Sequence, residues 1–335
     1  MTRLHELGEF ELIRRLTAKT RLGPDVREGP GDDAAVVRPE PGRDLVITND
    51  ALIAGRHWLD EWIEPEALGA RLALSCLSDI AAMAARPRWA VIAMGLRPNR
   101  LEEWVGAVQS GVEATLVREG AWLVGGNLGS LEDQEWLCLT LIGDVQPDRA
   151  WTRRGARPGD WIAVTGSPGR AGAAAALIRR LGEGARAPEW APLLASWRAP
   201  APRVDLARAL AASGAVTAAI DLSDGVAGDL AHLCTAGGVG AELDAASWPA
   251  DAAIEAAARA LGLSSEQLRA GPSDDYELLM AVSPDRRPAC ESVAREAGVP
   301  LHFVGRFTAE RGKIEWLDAG GTRRALRARG FEHFV

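Results

Sequence analysis

The 335-residue chain is long enough for two domains, each with its own hydrophobic core. Its 47% hydrophobic and 25% charged residues are typical of a globular protein, and its formal net charge of −8 argues against nucleic-acid binding as the main role. No apolar segment is long enough to cross a bilayer, and the N-terminus lacks the apolar stretch of a signal peptide. These features predict a cytoplasmic protein that binds neither nucleic acid nor membrane.

The four cysteines, at positions 76, 138, 234 and 290, are far apart and contain no C-x-x-C pair. This spacing argues against a zinc finger or an iron–sulfur cluster. Most of them lie in apolar sequence, which predicts reduced thiols in a core. The sequence therefore gives no sign of a thiolate metal centre.

Hydrophobic spacing predicts an opening helix at Glu9–Leu16, then a Gly- and Pro-containing loop and a buried first strand at Ala34–Val37. The longest helix, Glu66–Ala85, has Pro65 near its first turn and is apolar nearly all round, which predicts burial. The other elements predicted in the first half are strands at Asp44–Thr48, Trp89–Leu96, Ala121–Val124 and Trp136–Val145 and a helix at Leu101–Glu119. This alternation predicts an α/β or α+β sandwich.

A polar, Arg-rich segment around residues 146–157, with Pro147 and Pro158 near its ends, predicts the domain boundary, with domains at 1–148 and 149–335. The stretch 187–202, rich in Pro, Ala and Trp, is predicted to be an exposed connection. Strands are predicted at Trp161–Thr165, Val216–Leu222, Ala241–Leu243, Tyr276–Val282 and Leu301–Phe307 and helices at Ala171–Leu181, Val204–Ala212, Ala227–Ala236 and Arg287–Ala297. The second half is therefore expected to be a mixed domain as well.

Aspartates occur repeatedly at the edge of apolar sequence, at Asp33, Asp50, Asp79, Asp221 and Asp224. A charged group beside a core needs a partner, since even a neutral polar group buried alone costs about 2–7 kcal/mol. Few basic residues stand beside these acids, so together they favour a hard cation such as Mg²⁺. Taken singly, Asp224 also fits a helix N-cap and Asp221 a strand-end turn, and both alternatives stay open on this evidence.

The familiar phosphate-binding signatures are missing. There is no G-x-x-x-x-G-K-[ST] loop, and neither of the two lysines, Lys19 and Lys313, is placed for one. A protein-kinase signature is absent as well. Several carboxylates without a lysine point to nucleotide chemistry in which Mg²⁺ bridges phosphates and arginines such as Arg153 or Arg154 contact them.

Seven motifs occur in the order found in thiamine-monophosphate kinases, which belong with aminoimidazole ribonucleotide synthetase, selenophosphate synthetase and a hydrogenase-maturation protein. They are Gly31-Asp-Asp-Ala-Ala-Val-Val37, Thr48-Asn-Asp-Ala-Leu-Ile-Ala-Gly-Arg-His57, Leu77-Ser-Asp-Ile-Ala-Ala-Met83, Gly125-Gly-Asn127, Arg153-Arg-Gly-Ala-Arg-Pro-Gly-Asp160, Ile220-Asp-Leu-Ser-Asp-Gly225 and Asp274-Asp-Tyr-Glu-Leu278. The chain thus resembles this family over nearly its whole length. The resemblance implies a two-domain aminoimidazole ribonucleotide synthetase-like fold. Its N-terminal domain would bind Mg-ATP and form a homodimer through its sheet, and its C-terminal α+β domain would complete the active site.

The activity implied by the resemblance is phosphorylation of thiamine monophosphate to thiamine diphosphate by direct in-line transfer from ATP, with several Mg²⁺ ions. The implied catalytic carboxylates are Asp33, Asp50, Asp79 and Asp221, and the further metal ligands are Thr48, Asn49, Asn127 and Asp224. The implied nucleotide contacts are Gly126, Asn127, Arg153 and Ser223. His57, Asp274 and Phe331 match positions that line the thiamine pocket, where a carboxylate and an aromatic ring suit a cationic thiazolium.

The sequence departs from the family pattern at a few of these positions. Asn127 replaces an aspartate, and Asn49 replaces a hydroxyl residue beside Asp50. The substrate acid is Asp274 where the family has glutamate. Two alternatives therefore stand beside the kinase: a related ATP-dependent enzyme acting on another small phosphate, and a nucleotide-binding paralogue weakened by Asn127.

Overall fold

The computed structural model describes residues 2–318, 320–326 and 330–331. The chain divides into two compact units, one of Met1–Ile80 with Ala85–Asp148 and the other of Ala81–Ala84 with Arg149–Val335. Along the described ranges, no helix is both long and apolar enough to cross a bilayer.

The N-terminal unit is built around a four-stranded sheet. Its helices are α1 (Leu4–Leu7), α2 (Glu9–Thr17), α3 (Pro65–Ala82) and α4 (Glu102–Arg118), and its strands are β1 (Val26–Glu28), β2 (Val36–Val37), β3 (Asp44–Ile53), β4 (Arg86–Leu96), β5 (Trp122–Ser130) and β6 (Trp136–Val145). The sheet order is β3-β6-β4-β5, with β4 and β5 parallel and the other neighbours antiparallel. Strands β1 and β2 pair with each other outside this sheet.

The two faces of the four-stranded sheet differ in burial because side chains alternate along each strand. Leu137, Leu139 and Leu141 of β6 are fully buried on the face toward α3, which we call the inner face. On the outer face, Leu45 and Ile47 of β3 are 50% and 66% exposed. The outer face is therefore unusually apolar for a surface in contact with water.

Four predicted strands of this unit have different bounds in the structure, among them the one predicted at Trp89–Leu96, which begins at Arg86. The buried strand expected at Ala34–Val37 is wrong, because only the short β2 forms there, paired with β1, and Val36 is 51% exposed. Strand β3 continues past Thr48, and β5 continues through its glycines, because their backbone groups keep pairing with β6 and β4. Asp50 consequently lies within a strand and not just after one.

Helix α3 carries a buried polar stripe that its overall hydropathy conceals. Arg71, Ser75 and Ser78 follow one another at spacings of four and three residues, and each is only 1% exposed. Residues at these spacings share one face of a helix. The expectation of a helix that is apolar nearly all round was therefore incomplete, and Asp79 lies beside this stripe.

The C-terminal unit is built around a seven-stranded sheet of order β13-β12-β9-β11-β7-β10-β8, in which only β12 and β9 are parallel neighbours. Its strands are β7 (Trp161–Thr165), β8 (Val216–Asp221), β9 (Gly240–Asp244), β10 (Leu278–Val282), β11 (Leu301–Thr308), β12 (Ile314–Leu317) and β13 (Arg323–Ala325). Its helices are α5 (Arg170–Leu181), α6 (Ala191–Arg198), α7 (Val204–Ser213), α8 (Val226–Gly237), α9 (Ala252–Leu261), α10 (Ser265–Ala270) and α11 (Arg287–Glu296). Helix α8 packs into a core that also contains Trp248, Phe307 and Trp316.

The connection predicted at residues 187–202 is wrong, because this stretch contains α6. Leu193, Leu194 and Trp197 of that helix are at most 7% exposed. Pro192 is compatible with the helix because it lies in the first turn, where the missing N–H is not needed. The mixed α/β architecture of both halves is as predicted.

Candidate active site

An oxygen-rich group lies between β3 and α3 in the N-terminal unit. Thr48 and Asp50 are two residues apart on β3 and therefore both point to the inner face. The Thr48 hydroxyl donates a hydrogen bond to Asp79 of α3, and Asp50 is hydrogen-bonded to Ser75, one turn earlier on the same helix. The fold thus brings together two acids that the sequence predicted from separate motifs.

The environment of this pair disfavours two bare negative charges. Burial raises the pKa of Asp50 to about 6, and the charge of Asp79 adds to this rise, whereas Ser75 and Arg71 oppose it. Like charges near each other favour whatever neutralises them, either a proton or a cation. At neutral pH, a divalent cation at this pair would relieve the repulsion.

Magnesium is expected to stabilise the protein more at high pH than at low pH. A cation needs the ionised carboxylate, and Asp50 keeps its proton up to a pKa of about 6. Without metal, stability should fall as the pH rises from about 4 to about 6, because the folded state must then lose a proton that the unfolded state has already released. We therefore expect the increase in Tm caused by MgCl₂ to be clearly larger at about pH 8 than at about pH 5, measured by thermal denaturation.

The matched variant for this experiment is Asp50→Asn. It should lose the part of the magnesium effect that depends on pH, and its metal-free Tm at about pH 8 should be at least that of the wild type, because it has no partly buried charge to maintain at this position. A magnesium effect that is independent of pH in the wild type, or an equally pH-dependent effect in Asp50→Asn, would contradict the assignment.

Other predicted ligands in the N-terminal unit lie apart from this pair. Asn49 is on the outer face, where its side-chain amide donates to Thr140 Oγ1 at 2.8 Å and to the Leu139 carbonyl at 3.2 Å. The β4–β5 register places the exposed Asn127 beside Ala93, on the same outer face. We therefore leave Asn49 out of the ligand set proposed below.

Two further predicted residues, Asp33 and Gly126, lie in different places in the N-terminal unit. Asp33 is exposed in the segment before β2, and its backbone N–H donates to the Asp32 carboxylate at 2.8 Å. The premise that Asp33 lies at the mouth of a buried strand was therefore wrong. Gly126 lies on β5 where a Cβ would come within 2.4 Å of the Ile92 carbonyl, so only glycine fits there.

A second polar group lies at the end of β8 in the C-terminal unit. Asp221 is the last residue of that strand and is 4% exposed, and Ser223 and Asp224 follow in the turn before α8. Arg153 is exposed and close enough to act electrostatically on Asp229, in the first turn of α8. The structure therefore brings four residues that the sequence predicted, Asp221, Ser223, Asp224 and Arg153, to one end of the sheet.

Asp229 is a residue of this group that was missed. Its carboxylate, 1% exposed, accepts hydrogen bonds from the backbone N–H groups of Asp224 at 3.2 Å and Gly225 at 3.0 Å. Burial, followed by the charge of Asp224, raises its pKa to about 7. The sequence signal that could have identified Asp229 is an acidic residue in the first turn of a helix, four residues after Gly225 and five after Asp224. These contacts give Asp229 the capping role, so the N-cap alternative for Asp224 was wrong. The strand-end alternative for Asp221 agrees with its place as the last residue of β8.

The segment before β10 meets the same end of the sheet, because Leu278 pairs with Asp221. Asp274 is partly exposed there, whereas Asp275 is buried and accepts hydrogen bonds from the backbone N–H groups of Gly169 and Ala171. Burial raises the pKa of Asp275 to about 6. Of the two adjacent acids, Asp275 thus fixes the start of α5, and Asp274 is the more exposed.

Hydrogen bonds position His57 and Phe331, the two residues predicted to line the substrate pocket. His57 Nδ1 accepts a hydrogen bond from the Ile53 backbone N–H at 3.0 Å, so the proton of the neutral ring lies on Nε2. Phe331 is 40% exposed, and its backbone N–H donates to the Asp224 carbonyl at 2.9 Å. The backbone of Phe331 is therefore tied to the turn that carries Asp224.

The thiol of Cys76 also lies near Asp50 and Asp79, but it donates to the Leu139 carbonyl at 3.3 Å, and burial raises its pKa well above the usual value, which disfavours a thiolate ligand. In the part of the chain that the structure describes, no three His, Cys, Asp or Glu side chains come close enough to hold a metal by themselves. Mg²⁺ typically uses one or two carboxylates, keeps several waters and takes substrate phosphates as further ligands. Asp50, Asp79 and Thr48 therefore fit Mg²⁺, and they do not fit Zn²⁺, which prefers nitrogen and sulfur.

A cavity of about 490 Å³ lies elsewhere in the C-terminal unit, near the start of α5. Two of its lining arginines are already paired, Arg170 with Asp251 at 2.6 Å and Arg203 with Glu277 at 2.6 Å. These pairs leave the lining without an excess of positive charge, so we do not assign the phosphate site to this cavity.

Comparison with known families matches both units. Residues 31–145 match the N-terminal domain of AIR synthase related proteins, and residues 157–317 match the C-terminal domain. The two sheets and these matches define the chain as an AIR synthase related protein.

Individual relatives narrow this class. Thiamine-monophosphate kinase of Escherichia coli strain K12 is 34% identical over 333 residues, which is 98% of this chain and 98% of the relative. The crystal structure of thiamine-monophosphate kinase from Stenotrophomonas maltophilia K279a has a TM-score of 0.81 and 32% identity, and it covers 92% of this chain and 96% of its own. AaThiL complexed with AMPPCP and TMP has a TM-score of 0.76 and 26% identity over 100% of this chain and 99% of its own. The chain belongs to the thiamine-monophosphate kinase family, as the motifs predicted.

Proposed function

We propose that the protein phosphorylates thiamine monophosphate to thiamine diphosphate with ATP. The observation that carries the proposal is the partly buried pair Asp50 and Asp79, with Thr48 on Asp79, in a chain that matches thiamine-monophosphate kinases over 98% of its length. The complex of AaThiL with AMPPCP and TMP supports both substrates. A pair of acids that favours a cation is what an ATP-dependent phosphotransferase requires.

We assign Mg²⁺ to Asp50, Asp79 and Thr48 in the N-terminal unit and to Asp221 and Asp224 in the C-terminal unit. Bound there, Mg²⁺ would neutralise the ATP phosphates and the charge that develops during transfer. Asp33 remains a sequence-based assignment, and its exposure leaves it accessible to nucleotide, whereas Asn127 shares the outer face with Asn49 and is left out of the ligand set as well. Ser223, Arg153 and Gly126 are the proposed nucleotide contacts.

The acceptor does not require a strong general base, because thiamine monophosphate already presents a phosphate oxygen as the nucleophile. That oxygen forms a bond to the γ-phosphorus while the bond to the bridging β–γ oxygen breaks, and ADP leaves without a phosphoenzyme. The protein's task is therefore positioning. The Asp274 carboxylate and the Phe331 ring suit the thiazolium cation, and His57 Nε2 offers a hydrogen-bond donor.

We infer a homodimer from the outer face of the N-terminal sheet. Leu45, Ile47 and Val91 are 50%, 66% and 39% exposed on this one face. A second copy of the chain would remove this apolar surface from water. Cytoplasmic location remains our expectation, and the four free cysteines fit a reducing compartment.

Asn127→Asp is expected to give no gain in turnover and a Tm change of less than about 2 °C, because the residue is exposed and lies away from the Asp50–Asp79 pair. Steady-state kinetics at saturating ATP would measure the turnover. A gain of about tenfold or more would instead favour the paralogue weakened by Asn127.

The acceptor assignment is tested by measuring ADP release with a panel of small phosphates at equal concentration. The panel contains thiamine monophosphate, ribose 5-phosphate as another small phosphate, and thiamine as the control without a phosphate. We expect ADP release to depend on thiamine monophosphate, because thiamine lacks the nucleophilic phosphate. ADP release with another phosphate, but not with thiamine monophosphate, would transfer the assignment to a related enzyme of the superfamily.

A further inference from the structure

The turn that carries Asp224 packs against the chain's C-terminal segment through two glycines. Gly228, in the first turn of α8, lies so close to Gly330 that a Cβ on Gly228 would be 2.9 Å from the Gly330 Cα. A Cβ on Gly330 would be 2.8 Å from the Gly228 Cα and 3.3 Å from the Asp224 Cβ. Real Cβ atoms are almost never that close to other atoms, so any larger residue at either position must separate the two segments.

This close approach sets the position of Phe331. The next backbone group after Gly330 is the Phe331 N–H, which donates to the Asp224 carbonyl at 2.9 Å. Separating Gly228 from Gly330 would lengthen or break this hydrogen bond. The backbone of Phe331, to which the ring is attached, is thus positioned by the start of the helix that follows Asp224.

The same turn also contacts the segment that carries Asp274. Gly225 has φ +101°, and a Cβ there would be 2.0 Å from the Gly271 carbonyl and 3.0 Å from the Ser273 nitrogen. The Tyr276 N–H donates to the Leu222 carbonyl at 2.8 Å. One short segment, residues 222–228, therefore touches both elements that are assigned to thiamine.

We propose that Gly228 and Gly330 are positioning residues for the phosphate acceptor. Their contact holds Phe331 against the Asp224 turn and so fixes the position of the thiazolium-binding ring relative to the metal-binding carboxylate. This inference rests on the proposed function for its substrate. Two glycines, which have no side chains to contact a ligand, would thereby control the affinity for thiamine monophosphate.

The test is Gly228→Ala. Gly228 lies in a helix, where alanine is favoured over glycine, so the helix itself should tolerate the change. We expect KM for thiamine monophosphate to rise about tenfold, with kcat and KM for ATP changed less than about twofold. The matched control is Gly106→Ala in α4, where a Cβ meets no atom within 4 Å, and it should leave all three constants unchanged.

A double-mutant cycle shows whether Gly228 acts through Phe331. In a Phe331→Ala background, Gly228→Ala should raise KM for thiamine monophosphate by less than about twofold further. An equal effect of Gly228→Ala in both backgrounds, or an unchanged KM in the single variant, would overturn the inference.

Hydrogen exchange separates this inference from the proposed function. The Phe331 amide should exchange slowly in the wild type and faster in Gly228→Ala, whether or not the protein is active on thiamine monophosphate. Slow exchange without activity would leave the glycine contact standing and reject the substrate. Fast exchange of this amide in the wild type would reject the glycine contact, whatever the activity.

Discussion

Asp79→Asn is expected to lower magnesium-dependent turnover by about 100-fold or more and to leave the fold intact, which steady-state kinetics and thermal denaturation would test. Asparagine has the shape of aspartate and can still accept the hydrogen bond of the Thr48 hydroxyl, so the contact between β3 and α3 persists. It supplies no negative charge for a cation, and it removes the neighbour that raises the pKa of Asp50. Function and stability should therefore separate in this variant.

The control for Asp79→Asn is Asp60→Asn in the same unit. Asp60 is 46% exposed and pairs with Arg100 at 2.8 Å, and surface pairs of this kind contribute about 0–1 kcal/mol. The turnover of Asp60→Asn should therefore equal that of the wild type. If Asp79→Asn kept near-normal turnover, the argument from the Asp50–Asp79 pair would be wrong. A loss of turnover together with unfolding would show only a structural role for Asp79.

Asp221→Asn should have the second large effect, a fall in kcat of about 100-fold with a small change in KM for thiamine monophosphate. Asp221 is 4% exposed at the end of β8, where its backbone pairs with Leu278. The amide preserves this pairing and the side-chain volume, but it removes a charge assigned to Mg²⁺. Single-turnover measurements at saturating Mg-ATP would separate loss of chemistry from loss of binding.

Asp244→Asn is the matched control, because Asp244 also ends a strand of the same sheet. Its carboxylate caps the following turn, accepting from the Ala246 N–H at 2.9 Å and the Ser247 hydroxyl at 2.6 Å, so the variant should lose about 1 kcal/mol of stability or less and no turnover. Equal losses of turnover in both variants would attribute the effect to the strand end and not to a ligand role for Asp221.

The sequence was most informative where chemistry and periodicity agreed. The apolar sequence around Asp50 and the helix spacing around Asp79 were sufficient to expect both acids beside a core, and both lie there. The placement of Asn49 could have been predicted too, since neighbours in a strand point to opposite faces. It was missed because β3 was expected to end at Thr48, which left Asn49 and Asp50 just beyond the strand.

Other features depended on contacts that no local pattern contains. Asp33 was predicted next to a buried strand because Val36 and Val37 are apolar, yet β2 pairs only with β1 and leaves Val36 half exposed. The contact of Gly228 with Gly330 joins residues about a hundred positions apart, and glycine carries no periodic signal. Such long-range approaches follow from tertiary packing, which overrides local preference.

The most direct test of the account is transfer of the γ-phosphoryl group from γ-labelled ATP to thiamine monophosphate, followed by chromatography, with EDTA in the parallel reaction. The account predicts labelled thiamine diphosphate in a one-to-one ratio with ADP, no labelled protein, and no product in EDTA. AMP in place of ADP, label on the protein, or product formation without a divalent cation would contradict direct, magnesium-dependent transfer at Asp50 and Asp79.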